Sequence, residues 1–192
     1  EFCLVMEFCA GGGLDEVVLE VEFRNSQRVS VLQQVAAAIA HVHSVGVIHR
    51  DLKADNVLLL HPFSPGGTLV IKVGDFGLGK RLKSGHKTSS PMMPGDYTPG
   101  PWYAPEVAEN EVHGRAADVY AVGVLSLQVV MGPAHRRRSA SDAIAALIRG
   151  EGGPMARALR RCLERDAERR PAMTAVSREL QRCTALDLRD LR

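Results

Sequence analysis

The chain has 192 residues, 45% of them hydrophobic and 24% charged, and its 24 Lys+Arg against 22 Asp+Glu leave a net charge of +2. This is globular composition on a length suited to one domain or one large lobe. It excludes wholesale disorder, collagen-like repeats and extended coiled coils. A balance so near neutral gives no expectation of a nucleic-acid partner or of attraction to an anionic membrane.

In chain order, Glu1 to Phe8 alternates loosely and predicts a strand that runs into the Gly11-Gly12-Gly13 breaker. A helix follows, with Ser26 or Ser30 as candidate cap. Leu32, Val35, Ala36, Ile39, Val42 and His43 recur on it at helical spacing, and Gly46 stops it. Val47-Ile48 is a short apolar pair. Val57 to Leu60 and Thr68 to Val73 read as two strands, joined through Pro62, Pro65, Gly66 and Gly67 into a hairpin. Lys80 to Pro101 has no periodicity and predicts a long functional loop.

Beyond that loop the pattern is helical. Ala117 to Met131 is apolar on every face and predicts a buried central helix. Its nearly apolar run from Val119 is too short to span a bilayer. Further helices are expected at 141–149, 155–164 and 173–183, and residues 184–192 are expected to fray. The four cysteines, Cys3, Cys9, Cys162 and Cys183, have no metal-ligand spacing and read as reduced thiols.

Three motifs carry chemistry: H-R-D-L-K-A-D-N over 49–56, D-F-G over 75–77 and A-P-E over 104–106. Six specified positions in the first alone set chance agreement at roughly one in 10⁷ to 10⁸ per start position. Taken singly, an Asp or Asn in a loop is a turn residue and a Lys is a solvated charge. Only the joint spacing singles them out. In this order the motifs are the protein-kinase signature. The chain resembles the C-terminal lobe of the eukaryotic protein kinases from Leu4 to about Leu180.

The resemblance implies an α+β, mainly α-helical large lobe in which a short β-hairpin carries the catalytic and magnesium loops. Residues 1–183 would be a partial kinase domain, with hinge strand and linker at 1–13 and the activation segment at about 75–106. The implied activity is phosphoryl transfer from ATP with Mg²⁺ to a protein hydroxyl. That reaction needs an in-line acceptor, charge neutralisation and little covalent help. Asp51 would orient the acceptor hydroxyl and take its proton, and Lys53 would place charge on the γ-phosphate. Asn56 and Asp75 would supply hard oxygens to the metal.

Met6 matches the gatekeeper, Glu7 and Cys9 the hinge positions that bond adenine, and Leu58 the apolar floor beneath it. His49 and Phe76 match a stack that links the two loops. Asp118 matches a carboxylate that receives the catalytic-loop N–H groups, or else is an ordinary N-cap. Glu106 and Arg170 match a buried ion pair. Lys53 within D-L-K-A-D-N resembles the serine/threonine class. Arg50 is the family's sign of control by a regulatory kinase acting on the activation segment, where Thr88, Ser89, Ser90, Tyr97 and Thr98 are candidate acceptors. The partners implied are a protein substrate and that regulatory kinase, and the compartment expected is the cytoplasm, with the nucleus as the alternative.

The sequence also departs from the family pattern. Pro99 stands where a Thr is expected to bond the catalytic Asp and Lys, with Thr98 one residue out of register, and Trp102 stands where Tyr is common. Gly13 falls near the ribose position, so that contact is expected either to be lost or to move to Asp15. Arg136 to Arg138 read as a solvated loop or a docking patch. The 192 residues contain no glycine-rich loop and no V-A-I-K lysine, so these residues alone are expected to transfer little phosphate and to dissolve poorly. The competing expectation is a kinase-like scaffold without catalysis. A small-molecule phosphotransferase of related topology fits less well, because A-P-E and Arg170 are present.

Overall fold

The computed structural model describes residues 3–81, 103–109, 114–133, 140–149 and 152–191. Within them the chain is mostly helical, with four short strands. The elements in order are α1 (Leu14–Glu20), α2 (Asn25–Ser44), β1 (Val47–Ile48), β2 (Val57–Leu59), β3 (Ile71–Val73) and β4 (Lys80–Arg81). Then come α3 (Pro105–Ala108), α4 (Arg115–Met131), α5 (Ala140–Arg149), α6 (Pro154–Cys162) and α7 (Met173–Gln181). No described helix is long and apolar enough to cross a membrane.

The core is built on α2 and α4. Val31, Leu32, Val35, Ala36 and Ile39 put one face of α2 out of water, against α4 on one side and α7 on the other. In α4 nearly every side chain is buried, as its unbroken apolar character predicts. Each such Val or Leu contributes about 1.5–3 kcal/mol relative to exposure. Gly123 lets α4 and α6 approach closely, since a Cβ there would lie 2.9 Å from Leu163 Cγ and 3.0 Å from Cys162 Cβ.

The predicted hairpin is present. β2 and β3 pair antiparallel with Val57 opposite Val73, Leu58 opposite Lys72 and Leu59 opposite Ile71. The second strand is shorter than expected, although Leu60 N–H still bonds Val70 C=O at 2.9 Å. The helix that ends at Gly46 is also present, and Gly46 takes φ +79°, the left-handed value glycine tolerates. Its start differs from expectation. The helix begins at Asn25, and Gln27 Oε1, not a serine, accepts the N–H of Arg24 at 3.0 Å.

Other expectations are corrected. Among the described residues, 3–8 form no strand, because alternation creates a strand only where a partner edge supplies hydrogen bonds. Backbone pairing starts later, with Ala10 and Gly11 N–H to Leu60 and Leu59 C=O and an isolated bridge between Gly13 and Leu58. Lys80 and Arg81 pair antiparallel with Ile48 and Val47, so the segment expected to be loop from Lys80 begins as a strand. The tail does not fray at 185–191. It forms a 3₁₀ helix with Leu188 fully buried, opened by the Asp187 carboxylate accepting Thr184 N–H at 2.7 Å. Leu188 anchors the segment in the core, and the Asp187 carboxylate caps its start.

Candidate active site

The chain leaves α2 through Gly46, makes the β1–β4 pair and enters the loop at His49. Arg50 lies there at φ +73° and Asp75 at φ +54°. Left-handed backbone at such residues costs about 1–3 kcal/mol each and persists only where its surroundings impose it.

For Arg50 the constraint is Asp118, on the first turn of α4. Its Oδ2 accepts His49 N–H at 2.8 Å and lies 2.8 Å from His43 Nε2, and its Oδ1 accepts Arg50 N–H at 2.9 Å. The N-cap of α4 is Gly114, so Asp118 is not the cap; it receives the loop. Burial pulls the Arg50 guanidinium below its usual value, and the Asp118 carboxylate partly restores it. Arg50 Nε is buried with no hydrogen-bond partner among the described residues.

Around Asp51 the contacts close into a ring. His49 Nε2 lies 2.9 Å from Gly74 C=O, which requires an N–H there and leaves Nδ1 to accept Asp51 N–H at 3.3 Å. Gly74 N–H bonds Asn56 C=O at 2.8 Å. Asn56 Nδ2 returns to Asp51, donating to its C=O at 2.7 Å and to its Oδ2 at 3.1 Å. Lys53 Nζ sits 3.3 Å from the same Oδ2. The His49 and Phe76 rings meet at 4.6 Å between centroids. Asp51, Lys53 and Asn56 are thus in direct contact. Asp75 follows Gly74 immediately, exposed, with Oδ1 accepting Gly77 N–H at 3.2 Å.

The donor set suits a hard cation. Both amide protons of Asn56 go to Asp51, so its Oδ1 is the atom left for a metal, and the exposed Asp75 carboxylate adds a charged oxygen. Mg²⁺ is commonly bound by one or two carboxylates and completed by phosphates and water, so a two-residue protein contribution fits. Among the described residues no cluster of three or more His, Cys, Asp or Glu side chains forms a separate metal cage.

The adenine candidates are less gathered. Leu58 sits on β2, half-buried, and bridges Gly13. Glu7 reaches Lys72 of β3 at 2.9 Å, an exposed pair that lays the first segment alongside the hairpin. Cys9 is half-buried, whereas Met6 is 72% exposed. The candidate phosphoacceptors Thr88 to Ser90, Tyr97 and Thr98, with Pro99, Trp102 and Arg136 to Arg138, lie outside the described residues.

Glu106 and Arg170 meet as a bidentate pair at 2.6 and 2.8 Å. Arg170 also donates to the backbone oxygens of Glu164, Arg165 and Ala116 and lies 5.0 Å over the Tyr120 ring. Every donor of this buried guanidinium group is satisfied, which is the condition for burying such a pair.

One contact was not foreseen. The Tyr103 hydroxyl donates to Asp51 Oδ1 at 2.8 Å. The signal available was the residue type, since a buried phenol requires a polar partner. Nothing local names that partner, which lies 52 positions earlier in the chain.

The Asp51, Lys53, Asn56 and Asp75 side chains come from one loop and the hairpin beside it, and comparison with known proteins gives the family. A family model described as the protein kinase domain matches residues 1–181. The chain belongs to that family. Similar proteins include the serine/threonine-protein kinase ste20 of Aspergillus oryzae, 34% identical over 129 residues, covering 67% of this chain and 14% of the relative. MST20 of Pyricularia oryzae is 35% identical over 132 residues, 69% of this chain and 13% of the relative. The serine/threonine-protein kinase pak-1 of Caenorhabditis elegans is 34% identical over 132 residues, 69% of this chain and 21% of the relative. Within the family the chain groups with the eukaryotic serine/threonine kinases. It spans a fifth or less of the length of the first two of these relatives and about a fifth of the third.

Proposed function

We propose that this chain is the large lobe of an ATP- and Mg²⁺-dependent protein serine/threonine kinase that transfers phosphate to a protein hydroxyl. The observation that supports the reading is the closed ring Asp51–His49–Gly74–Asn56, which keeps the Asp51 carboxylate beside the Lys53 ammonium and the Asn56 amide, with Asp75 next in the chain after Gly74. ATP with Mg²⁺, when bound, supplies the phosphoryl group and offsets its charge.

The protein's own residues orient and move protons. Asp51 accepts the acceptor hydroxyl's proton as the oxygen attacks, a role suited to a carboxylate fixed by Asn56 and Lys53. Lys53 places its ammonium on the transferred phosphate. Asn56 Oδ1 and Asp75 hold the metal. Met6, Glu7, Cys9 and Leu58 line the adenine end. Arg50, whose Nε has no described partner, receives a phosphate added to the 75–106 segment by a regulatory kinase.

The test is Asp51→Asn in the full-length protein that carries this chain, with radiolabelled ATP and a serine-containing protein. The expected result is a loss of about 10²–10⁴-fold in kcat with folding retained. An Asp51→Asn protein as fast as wild type would overturn the assignment. A wild-type protein that binds ATP without turnover would identify a kinase-like scaffold instead.

A further inference from the structure

Both oxygens of the Asp51 carboxylate are engaged, and by different kinds of group. Oδ2 faces Asn56 and Lys53, the residues assigned to metal and phosphate. Oδ1 accepts the Tyr103 hydroxyl at 2.8 Å. Resting on the phosphoryl-transfer reading above, we propose that the Tyr103 hydroxyl occupies the acceptor place on Asp51, as an internal stand-in for the substrate hydroxyl that must leave before a serine or threonine can be phosphorylated.

A 2.8 Å hydroxyl-to-carboxylate bond is the geometry an acceptor hydroxyl must reach for Asp51 to take its proton. The carboxylate has a further lone pair on Oδ1. Both residues are buried, Asp51 at 8% and Tyr103 at 9% exposure, so the bond between them forms out of bulk water. On this proposal an incoming hydroxyl that takes the same place on Oδ1 displaces the Tyr103 hydroxyl from it.

The phenol is not needed to orient the base. Asp51 is already fixed by its N–H to His49, by its C=O and Oδ2 to Asn56, and by Lys53. The Tyr103 bond is additional and lies on the side that Asn56 and Lys53 leave to the substrate. Its backbone stands on a rigid base. Ala104 C=O accepts the N–H groups of Val107 and Ala108, and Glu106 is clamped by Arg170. The phenol therefore opens by rotation of its own side chain while α3 stays in place.

The experiment uses the full-length protein that carries this chain and its Tyr103→Phe variant, which keeps the ring and removes only the hydroxyl. Steady-state rates are measured with a serine-containing peptide and ATP. A neutral donor to a carboxylate contributes enough that its loss lowers the peptide KM by about tenfold, and the gain falls in KM rather than in kcat. Fluorescence anisotropy gives a readout that needs no turnover. Preference for the serine peptide over its alanine counterpart rises in Tyr103→Phe. A lower kcat at unchanged peptide KM would overturn the proposal and make Tyr103 a positioning residue for Asp51. Equal serine-over-alanine preference in the two proteins would also overturn it. Absence of turnover in both proteins would refute the kinase reading, and anisotropy would still decide the gate.

Discussion

Asp118→Asn is the sharpest test of how the loop around Asp51 is held. The wild-type carboxylate faces His43 Nε2, His49 N–H and Arg50 N–H from a site that is 2% exposed. An amide of the same shape has one oxygen. If that oxygen keeps the His43 and His49 side, its NH₂ faces Arg50 N–H, donor against donor. A hydrogen bond to a charged group contributes about 1.5–3 kcal/mol, and that much is lost at Arg50 alone. The bond also holds Arg50 at φ +73° against a left-handed cost of about 1–2 kcal/mol, so its loss releases the residue toward ordinary backbone. Hydrogen exchange resolved to single amides reads this directly. The Arg50 amide should exchange about 10- to 100-fold faster, and amides in the middle of α4 should be unaffected. Unchanged Arg50 exchange in the variant would refute the reasoning, because the amide would then be protected by something other than Asp118.

Further outcomes are expected at two buried sites. Arg170→Met should be tolerated worse than its volume suggests, since it leaves Glu106 as an unpaired buried carboxylate, and urea unfolding should show a loss of about 3–5 kcal/mol. The double variant with Glu106→Gln should recover part of that loss. Burial pushes the Cys162 thiol up to about 12, against 9 for an ordinary cysteine. In the native protein it should therefore resist iodoacetamide at pH 8 while exposed Cys3 reacts. The unfolded chain releases that proton above pH 9 while the folded one keeps it. This contribution to stability is thus intact below pH 9 and declines by about 1.4 kcal/mol per pH unit as pH rises toward 12. Melts across that range, compared with Cys162→Ala, check the sign.

What the sequence disclosed follows the range of each interaction. Asp51, Lys53 and Asn56 lie within six residues, so one motif names all three and their contact is local. The central helix was legible because its apolar pattern has only one stable environment. α1 was not, because Val17 and Val18 are poor helix formers in a seven-residue element that follows three glycines. Its stability comes from Leu14 and Val18 buried against the core. The strand expected over 1–8 failed for the opposite reason: alternation was visible, but a strand is a property of a pair. Tyr103 and Leu188 were missed because one hydroxyl and one leucine each find their site through the fold rather than through neighbours in sequence.

The circuit through Gly74 has a pharmacological consequence. Gly74 accepts from His49 with its carbonyl and donates to Asn56 with its N–H, atoms of the two peptide groups that flank one Cα, so a compound that turned the backbone on both sides of that Cα would disturb two hydrogen bonds at once. His49 would lose the partner that fixes its tautomer, and Asn56 would lose the anchor of its own carbonyl. Both effects arrive at Asp51 by separate routes, one through the His49 ring and one through the Asn56 amide.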